Sequence, residues 1–392
     1  MNILLFHNSY INYGGEDTVF FSERSLLDLN GNSINCFVSN NSIVNNLHEK
    51  IKVSFFLTHS KVSKLMAVRL IFECNPSLVH IHNFFPLLTP SIYDACIEAG
   101  VPVVQTLHNY RTICPGALLM LDGKICEQCI TGSPYRAMVH RCYRNSVPGS
   151  WAVARMVAYH RKRRTWQTKV DRFIALTRFG KEKFVQAGFP AEKIAIKPNF
   201  YDASHFCYAP NHPSTGQALF VGRLSREKGV ATLLQAWHGV RVPLRIVGDG
   251  PLMPDICKVG NPAIETLGQL SGQQVSAEMG RASFLVMPSE WYEGFPMVLV
   301  EAFAHGLPVV ASRLGSMAEI VEDGITGLHF EPGNPHDLAR KVQWLHDHPE
   351  ECRQMGENAR RDYEAKYTPE RNYEMLMRIY EEVIEEKKRV RS

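Results

Sequence analysis

At 392 residues, 45% hydrophobic and 21% charged, the chain has the balance of a folded protein and is too long for one ordinary core, so two domains are expected. The net charge of +4 does not by itself point to nucleic acid, and no run approaches the roughly 18 apolar residues of a membrane span. The opening MNILLFHNSY lacks a basic n-region and reads as a first strand, which makes a cytoplasmic location the expectation, and the ten cysteines read as thiols or metal ligands rather than disulfides.

In the first half, NILLFHN, SINCFVS, SLVHIHN, PVVQTLH, RFIALT and KIAIKPN are short β-rich runs, mostly separated by stretches long enough for a helix. Gly14 and Gly15 stand between the first strand and a helix over 17–29, where a tight turn or the approach of a ligand to backbone amides explains them equally well. His80 and His82 flank Ile81 and share one face of a strand, where a hydrogen-bonded structural role outweighs metal binding. After His108 an insert at 110–145 gathers Cys114, Cys126, Cys129 and Cys142. The spacing Cys126-Glu127-Gln128-Cys129 suits a structural zinc, with four reduced thiols as the alternative. Residues 128–170 hold no acidic side chain but nine basic ones: Arg136, Arg141, Arg144, Arg155, Arg161, Lys162, Arg163, Arg164 and Lys169. Trp151, Val153, Ala154, Val157, Ala158 and Trp166 alternate with them, a pattern that fits an anionic membrane surface, a cleft wall or a solvated face.

Pro, Asn, Ser, His and Gly at 198–216 mark a linker. In the second half ALFVGRL, PLRIVGDG, IETLGQL, SFLVMPS and PVVASRL repeat the strand rhythm, so each half predicts a parallel sheet built from βαβ units. The boundaries that follow are 1–197, the linker, 217–366 and a last helix at 367–392. That helix starts with Thr368-Pro369-Glu370 and buries Tyr373, Leu376, Met377, Tyr380, Val383 and Ile384. Its pattern does not decide which domain it packs on; a return to the first is one option.

Two motifs carry chemistry. In FVGRLSREKG, Arg223 ends the first strand of the second half and Lys228 stands at the next helix start, beyond the strand ends where ligands bind in open α/β sheets. In SEWYEGFPMVLVEA a buried strand runs into a loop with Glu293 and Gly294, and a helix starts at Pro296 and carries Glu301 in its second turn. Free amides and the positive dipole end at such a helix start suit a diphosphate.

With these residues in place the chain resembles the retaining glycosyltransferase family 4 of GT-B fold over nearly its whole length. The resemblance rests on GRLSREKG, on EGFPMVLVE with its seven residues between Glu293 and Glu301, on Gly14-Gly15, on His108 in TLHNYR, and on Gly315 and Glu319. It implies two Rossmann-like α/β domains facing a cleft, and transfer of a sugar from a nucleotide-diphosphate donor to a saccharide or lipid-linked saccharide, in cell-surface polysaccharide synthesis. It further implies that Arg223 and Lys228 bind donor phosphates, that Glu301 holds the ribose, and that Glu293 contacts the donor sugar. The backbone of Gly294, Phe295, Pro296, Met297 and Val298 would line the donor pocket with Gly14 and Gly15, and His108 would approach the sugar. No metal or other cofactor is expected in the transfer step. Many relatives have two glycines where this chain has Gly315-Ser316. A nucleotide-sugar epimerase or hydrolase is the competing enzyme class, and a non-catalytic subunit would be expected to lose Glu293, Arg223 or Lys228.

Overall fold

A computed structural model describes residues 1–11, 14–44, 46–204, 206 and 216–391. Of the linker expected at 198–216, positions 205 and 207–215 lie outside the described residues. The chain divides into two compact units: 1–121, 126–198 and 372–392 form one, and 122–125 with 199–371 the other.

The first unit is built on a six-stranded parallel sheet of β1 (Asn2–Ser9), β2 (Ser33–Asn40), β3 (Leu78–Ile81), β4 (Val103–Leu107), β7 (Arg172–Ala175) and β8 (Ile194–Ile196). Within the insert, β5 (Met120–Leu121) and β6 (Lys124–Ile125) form a separate two-stranded sheet, of which β6 lies in the segment 122–125. The order in the sheet is β2-β1-β3-β4-β7-β8, so the chain winds outward from β1 in one direction and then crosses back to β3. β1 shows why: Ile3, Leu4, Leu5 and Phe6 are buried in succession, the continuous apolar run of a strand covered on both faces. Its last residues, His7, Asn8 and Ser9, are buried as well but polar, and they mark the end where chemistry collects.

The second unit repeats the plan with β9 (Ala218–Val221), β10 (Leu244–Val247), β11 (Ile264–Gly268), β12 (Phe284–Met287), β13 (Val309–Ser312) and β14 (Gly327–Phe330) in the order β11-β10-β9-β12-β13-β14. The reversal here falls between β9 and β12. β14, inside GITGLHFEPG, did not stand out in the sequence because only four residues separate its turns from the neighbouring loops.

The last helix, Pro369–Arg391, returns to the first unit. Leu376, Ile379, Tyr380 and Val383 are buried in one cluster with Ile3, Leu5, Phe20, Val104 and Ile174. Full burial of each such side chain is worth about 1.5–3 kcal/mol, enough to fix the helix without help from propensity. The basic and apolar pattern of residues 151–166 falls mostly on the helix Val147–Lys162. Val153, Ala154, Val157 and the following Trp166 are core side chains, so most of the apolar stripe points inward, while Val147, Trp151 and Tyr159 are exposed. No helix among the described residues is long and apolar enough to cross a membrane.

Candidate functional site

In the second unit the two sequence motifs leave the carboxyl ends of adjacent strands, β9 and β12, at the switch point of the sheet. Backbone contacts hold them together. The Glu290 amide donates to the Glu227 carbonyl at 2.9 Å, and Thr232 Oγ1 donates to Glu290 Oε1 at 2.5 Å. Gly229 has φ +70°, and a Cβ there would stand 1.8 Å from the Pro288 carbonyl oxygen, so only glycine lets the turn after Lys228 pack on the end of β12.

The close approach brings Lys228 Nζ to 2.7 Å from Glu293 Oε1, which also accepts from Ser289 Oγ at 2.8 Å. Glu293 is only 5% exposed, so the ammonium and the hydroxyl stabilise a carboxylate that would otherwise be costly to bury. Lys228 also stands 5.8 Å from the Trp291 ring centroid. The indole N–H of Trp291 is buried and has no hydrogen-bond partner among the described residues, leaving a donor free for a ligand oxygen. Arg223 is 65% exposed and pairs with the Glu227 carboxylate four residues on, a contact a ligand anion can replace at little cost.

Pro296 is the N-cap of the helix Met297–Ala304, which therefore begins one residue after the expected start and directs its first-turn amides out of its N-terminus. Ser316 Oγ donates to the Gly294 carbonyl at 3.1 Å and so pins the loop after Glu293. Gly315 takes the left-handed conformation at φ +53°, and the serine that replaces the family's second glycine is not strained. Glu301 stands alone electrostatically. Burial pushes its carboxyl up to about 7, and no charged partner opposes the shift.

In the first unit the expected residues sit beyond β1, β3 and β4. His108 Nε2 lies 3.0 Å from His82 Nδ1, and the rings stack with centroids 5.2 Å apart. Burial, and then the neighbouring His82 ring, hold the His108 pKa well below the usual histidine value, so its imidazole is neutral. His80 and His82 do share a face, and it faces Glu23 of the helix Gly15–Leu29. Glu23, His80 and His82 form the one group of three metal-capable side chains with ligand atoms within 4.8 Å among the described residues. Its hydrogen bonds argue for a structural network. His80 uses both ring nitrogens, on Tyr380 OH at 2.7 Å and Thr106 Oγ1 at 2.8 Å, and Lys197 Nζ stands 2.8 Å from Glu23 Oε2. Burial alone would raise the Glu23 pKa, but the Lys197 ammonium and His82 hold it well below the ordinary value.

Neither Gly14 nor Gly15 needs a left-handed backbone, and a Cβ on Gly15 would meet nothing within 4 Å. Open space next to a helix N-terminus, rather than a left-handed conformation at either glycine, is what these residues provide. Glu16, which pattern reading passed over, accepts from Asn109 Nδ2 at 3.0 Å and from Tyr10 OH at 3.1 Å, and burial raises its carboxyl to about 7. Trp291 lay within a quoted motif and its role was equally unread. Burial of one polar atom has no one-dimensional signal.

Cys114, Cys126 and Cys142 surround Cys129, whose thiol is raised to about 12 by burial and then by those three neighbours. No three of the sulfurs lie within 4.8 Å of one another.

Residues 211–362 match the model of the glycosyl transferases group 1, and residues 47–205 that of glycosyltransferase family 4. An uncharacterized glycosyltransferase of Methanocaldococcus jannaschii is 38% identical over 169 residues, covering 42% of this chain and 48% of that protein. The D-rhamnosyltransferase WbpZ of Pseudomonas aeruginosa is 31% identical over 156 residues, 38% of this chain and 41% of that protein. In both, the chain spans less than half of the relative's length. Among solved structures, the Anabaena HepE protein in complex with UDP superposes with a TM-score of 0.69 at 18% identity, over 96% of this chain and 99% of that one. That likeness establishes the fold, two Rossmann-like domains of GT-B type.

Proposed function

Because the chain belongs to the group 1 glycosyltransferases, we propose that it transfers a sugar, with retention of configuration, from a nucleoside-diphosphate donor to a saccharide or lipid-linked saccharide hydroxyl. The bond from the anomeric carbon to the β-phosphate oxygen breaks, and the acceptor oxygen bonds to the same face of the sugar. The acceptor proton passes to the leaving diphosphate. Charge builds on that diphosphate, so its stabilisation is the protein's main task. Lys228, Arg223 and the first-turn amides at Met297 and Val298 serve it. Trp291 N–H is a further donor, Glu301 takes ribose hydroxyls, and Glu293 takes a hydroxyl of the donor sugar. His108, as a neutral imidazole, hydrogen-bonds a sugar hydroxyl. The work belongs to cell-surface polysaccharide synthesis on the inner membrane face, where the basic segment from Arg136 to Lys169 contacts anionic lipid.

The Lys228–Glu293 pair at the β9/β12 switch point, with the unpaired indole N–H beside it, carries this reading. A panel of nucleotide sugars incubated with and without saccharide acceptors tests it. Acceptor-dependent nucleotide release, and a product with the donor's anomeric configuration by NMR, is the expected result. Epimerised donor, or release that ignores acceptor, would assign the site to an isomerase or a hydrolase.

We assign Cys114, Cys126, Cys129 and Cys142 to one structural zinc, supported by the Cys126-Glu127-Gln128-Cys129 spacing within one insert. Elemental analysis of protein purified without added metal should find one zinc per chain, and Cys126→Ser should lower both occupancy and melting temperature. Metal-free protein that melts unchanged would leave four reduced thiols instead.

A further inference from the structure

Among the described residues each six-stranded sheet ends in two edge strands, and three of those four are protected from further pairing. β8 is three residues long and stands between Lys193 and Lys197. β11 carries Glu265, and its register against β10 breaks between Ile246 and Val247. β14 is capped by carboxylates: the His329 amide donates to Asp323 Oδ1 at 2.7 Å, and the Glu331 amide just past the strand donates to Asp337 Oδ2 at 2.8 Å.

β2 has none of these devices. It is eight residues long with an unbroken register on β1, and residues 30–47 contain no charged side chain and no proline. The Ser33 amide donates to the Met1 carbonyl, so Ser33, Asn35, Phe37 and Ser39 turn their backbone groups toward β1. The backbone groups of Ile34, Cys36 and Val38 point away from the sheet and have no backbone partner among the described residues.

The surface beside this edge is apolar. The helix Lys61–Cys74 packs on β1 and on the helix Ser91–Ala99, and it buries Ser63, Ala67 and Ile71. Its opposite face carries Val62 at 78% exposure, Leu65 at 69% and Phe72 at 86%, a stripe that a monomer has no use for. β1 lies one strand in from the edge, about 4.8 Å, and a helix is about 10 Å wide, so this helix reaches the edge.

We propose that β2 pairs antiparallel with β2 of a second copy of this chain, about a two-fold axis normal to the sheet, so that the two first-unit sheets become one. A second copy is the occupant that fits. The axis sets the strand against itself, and a neutral strand places no like charges opposite each other. The contact is isologous, so it closes at two copies and leaves no β2 edge for a third. The same axis keeps both copies of the helix Lys61–Cys74 on one face, antiparallel, with the Lys61 end of one toward the Glu73 end of the other. Each is centred over a β1, and the two β1 strands stand three intervals apart, about 14 Å. Packed helices stand about 8–10 Å apart, so side chains as long as Leu65 and Phe72 are needed to fill the seam. At about 3.3 Å per residue the seam is about 26 Å long, and three layers deep it approaches the roughly 800 Å² per partner of a standard interface.

The test is sedimentation velocity of the full chain across the micromolar range, with hydrogen exchange of the β2 peptide at low and high concentration. A dimer is expected, with β2 amides exchanging more slowly as it forms. Val38→Lys sets two like charges into the seam and should raise the dimer dissociation constant about a hundredfold. Val38→Pro removes an amide that β1 does not use and should act in the same direction with the circular dichroism unchanged. Phe72→Ser, at an exposed position outside the core, should raise the constant about tenfold. A short bis-maleimide should link Cys36 to Cys36 of the second copy in the wild type and not in Val38→Lys, read by mass spectrometry of the linked peptide. A chain that stays monomeric throughout, a dimer indifferent to both Val38→Lys and Phe72→Ser, or β2 exchange independent of concentration would each overturn the proposal. Binding of anionic vesicles by a chain that remains monomeric would overturn it too, giving the apolar stripe to a bilayer.

Discussion

Both sheets collect polar side chains beyond the carboxyl ends of the strands at their switch points, β1 and β3 in one, β9 and β12 in the other. They differ in how those side chains are held. Around β3 the charges are locked away: Glu23, Lys197 and His80 are all buried and meet polar groups from other elements of the same unit, with Glu23 Oε1 and His82 Nε2 3.2 Å apart. Around β9 and β12 they are only lightly committed, with Arg223 exposed, Lys228 on a single carboxylate, Trp291 N–H unpaired and Glu301 without a charged partner. A buried network of this kind ties down the element it joins, here the last helix through Tyr380 and Asn372. A network with unspent donors is ready to exchange partners with a ligand. One arrangement supports the fold, and the other is the one we propose to hold the donor.

The comparison breaks most visibly at Lys197. Lys197→Met leaves the Glu23 carboxylate buried with its nearest cation gone, a change worth about 3–5 kcal/mol. Hydrogen exchange should rise across the first unit's peptides while nucleotide affinity in the second stays at the wild-type value. A loss confined to nucleotide binding would show that the buried pair is not structural.

Lys228→Ala should do the converse. Transfer should fall about a hundredfold or more, on the order of 3 kcal/mol, with first-unit exchange unaltered. Turnover near wild type at matched stability would remove Lys228 from the donor site.

The smallest effect compares Glu16 with Glu301, one carboxyl in each unit and both at about 7. The folded protein binds more protons than the unfolded chain between the ordinary 4.5 and about 7. Stability that is fully present below about pH 4.5 is therefore lost as pH rises toward 7, and levels off above it. Each carboxyl should account for about 2–3 kcal/mol of that decline. Glu16→Gln and Glu301→Gln should each flatten the profile by a similar share in denaturant unfolding between pH 5 and pH 8. An unchanged slope in either variant would mean that carboxyl ionises freely.

Much of this was legible in one dimension. Alternating apolar runs and helical stretches suffice for two parallel sheets, because strands covered on both faces have to be continuously apolar. That REKG and EGFP both lie beyond strand ends followed from their positions after strands, whereas their meeting depends on β9 and β12 being neighbours, and Gly229 is the residue that the close approach to Pro288 requires. The pattern around Val153, Ala154 and Val157 left several readings open because an apolar helical face looks the same whether it meets lipid or the protein's own core; these three are core side chains.

The sequence by itself determined the class of fold, the family and the two motifs that follow β9 and β12, since each depends on residues near one another in the chain. Only the tertiary structure decided that the last helix belongs to the first core, that Glu23 meets Lys197 across 174 positions, and that Ile11, Phe55, Phe85 and Trp151 line one crevice. Those outcomes depend on which surfaces are buried together, and burial is a property of packing that local pattern does not encode.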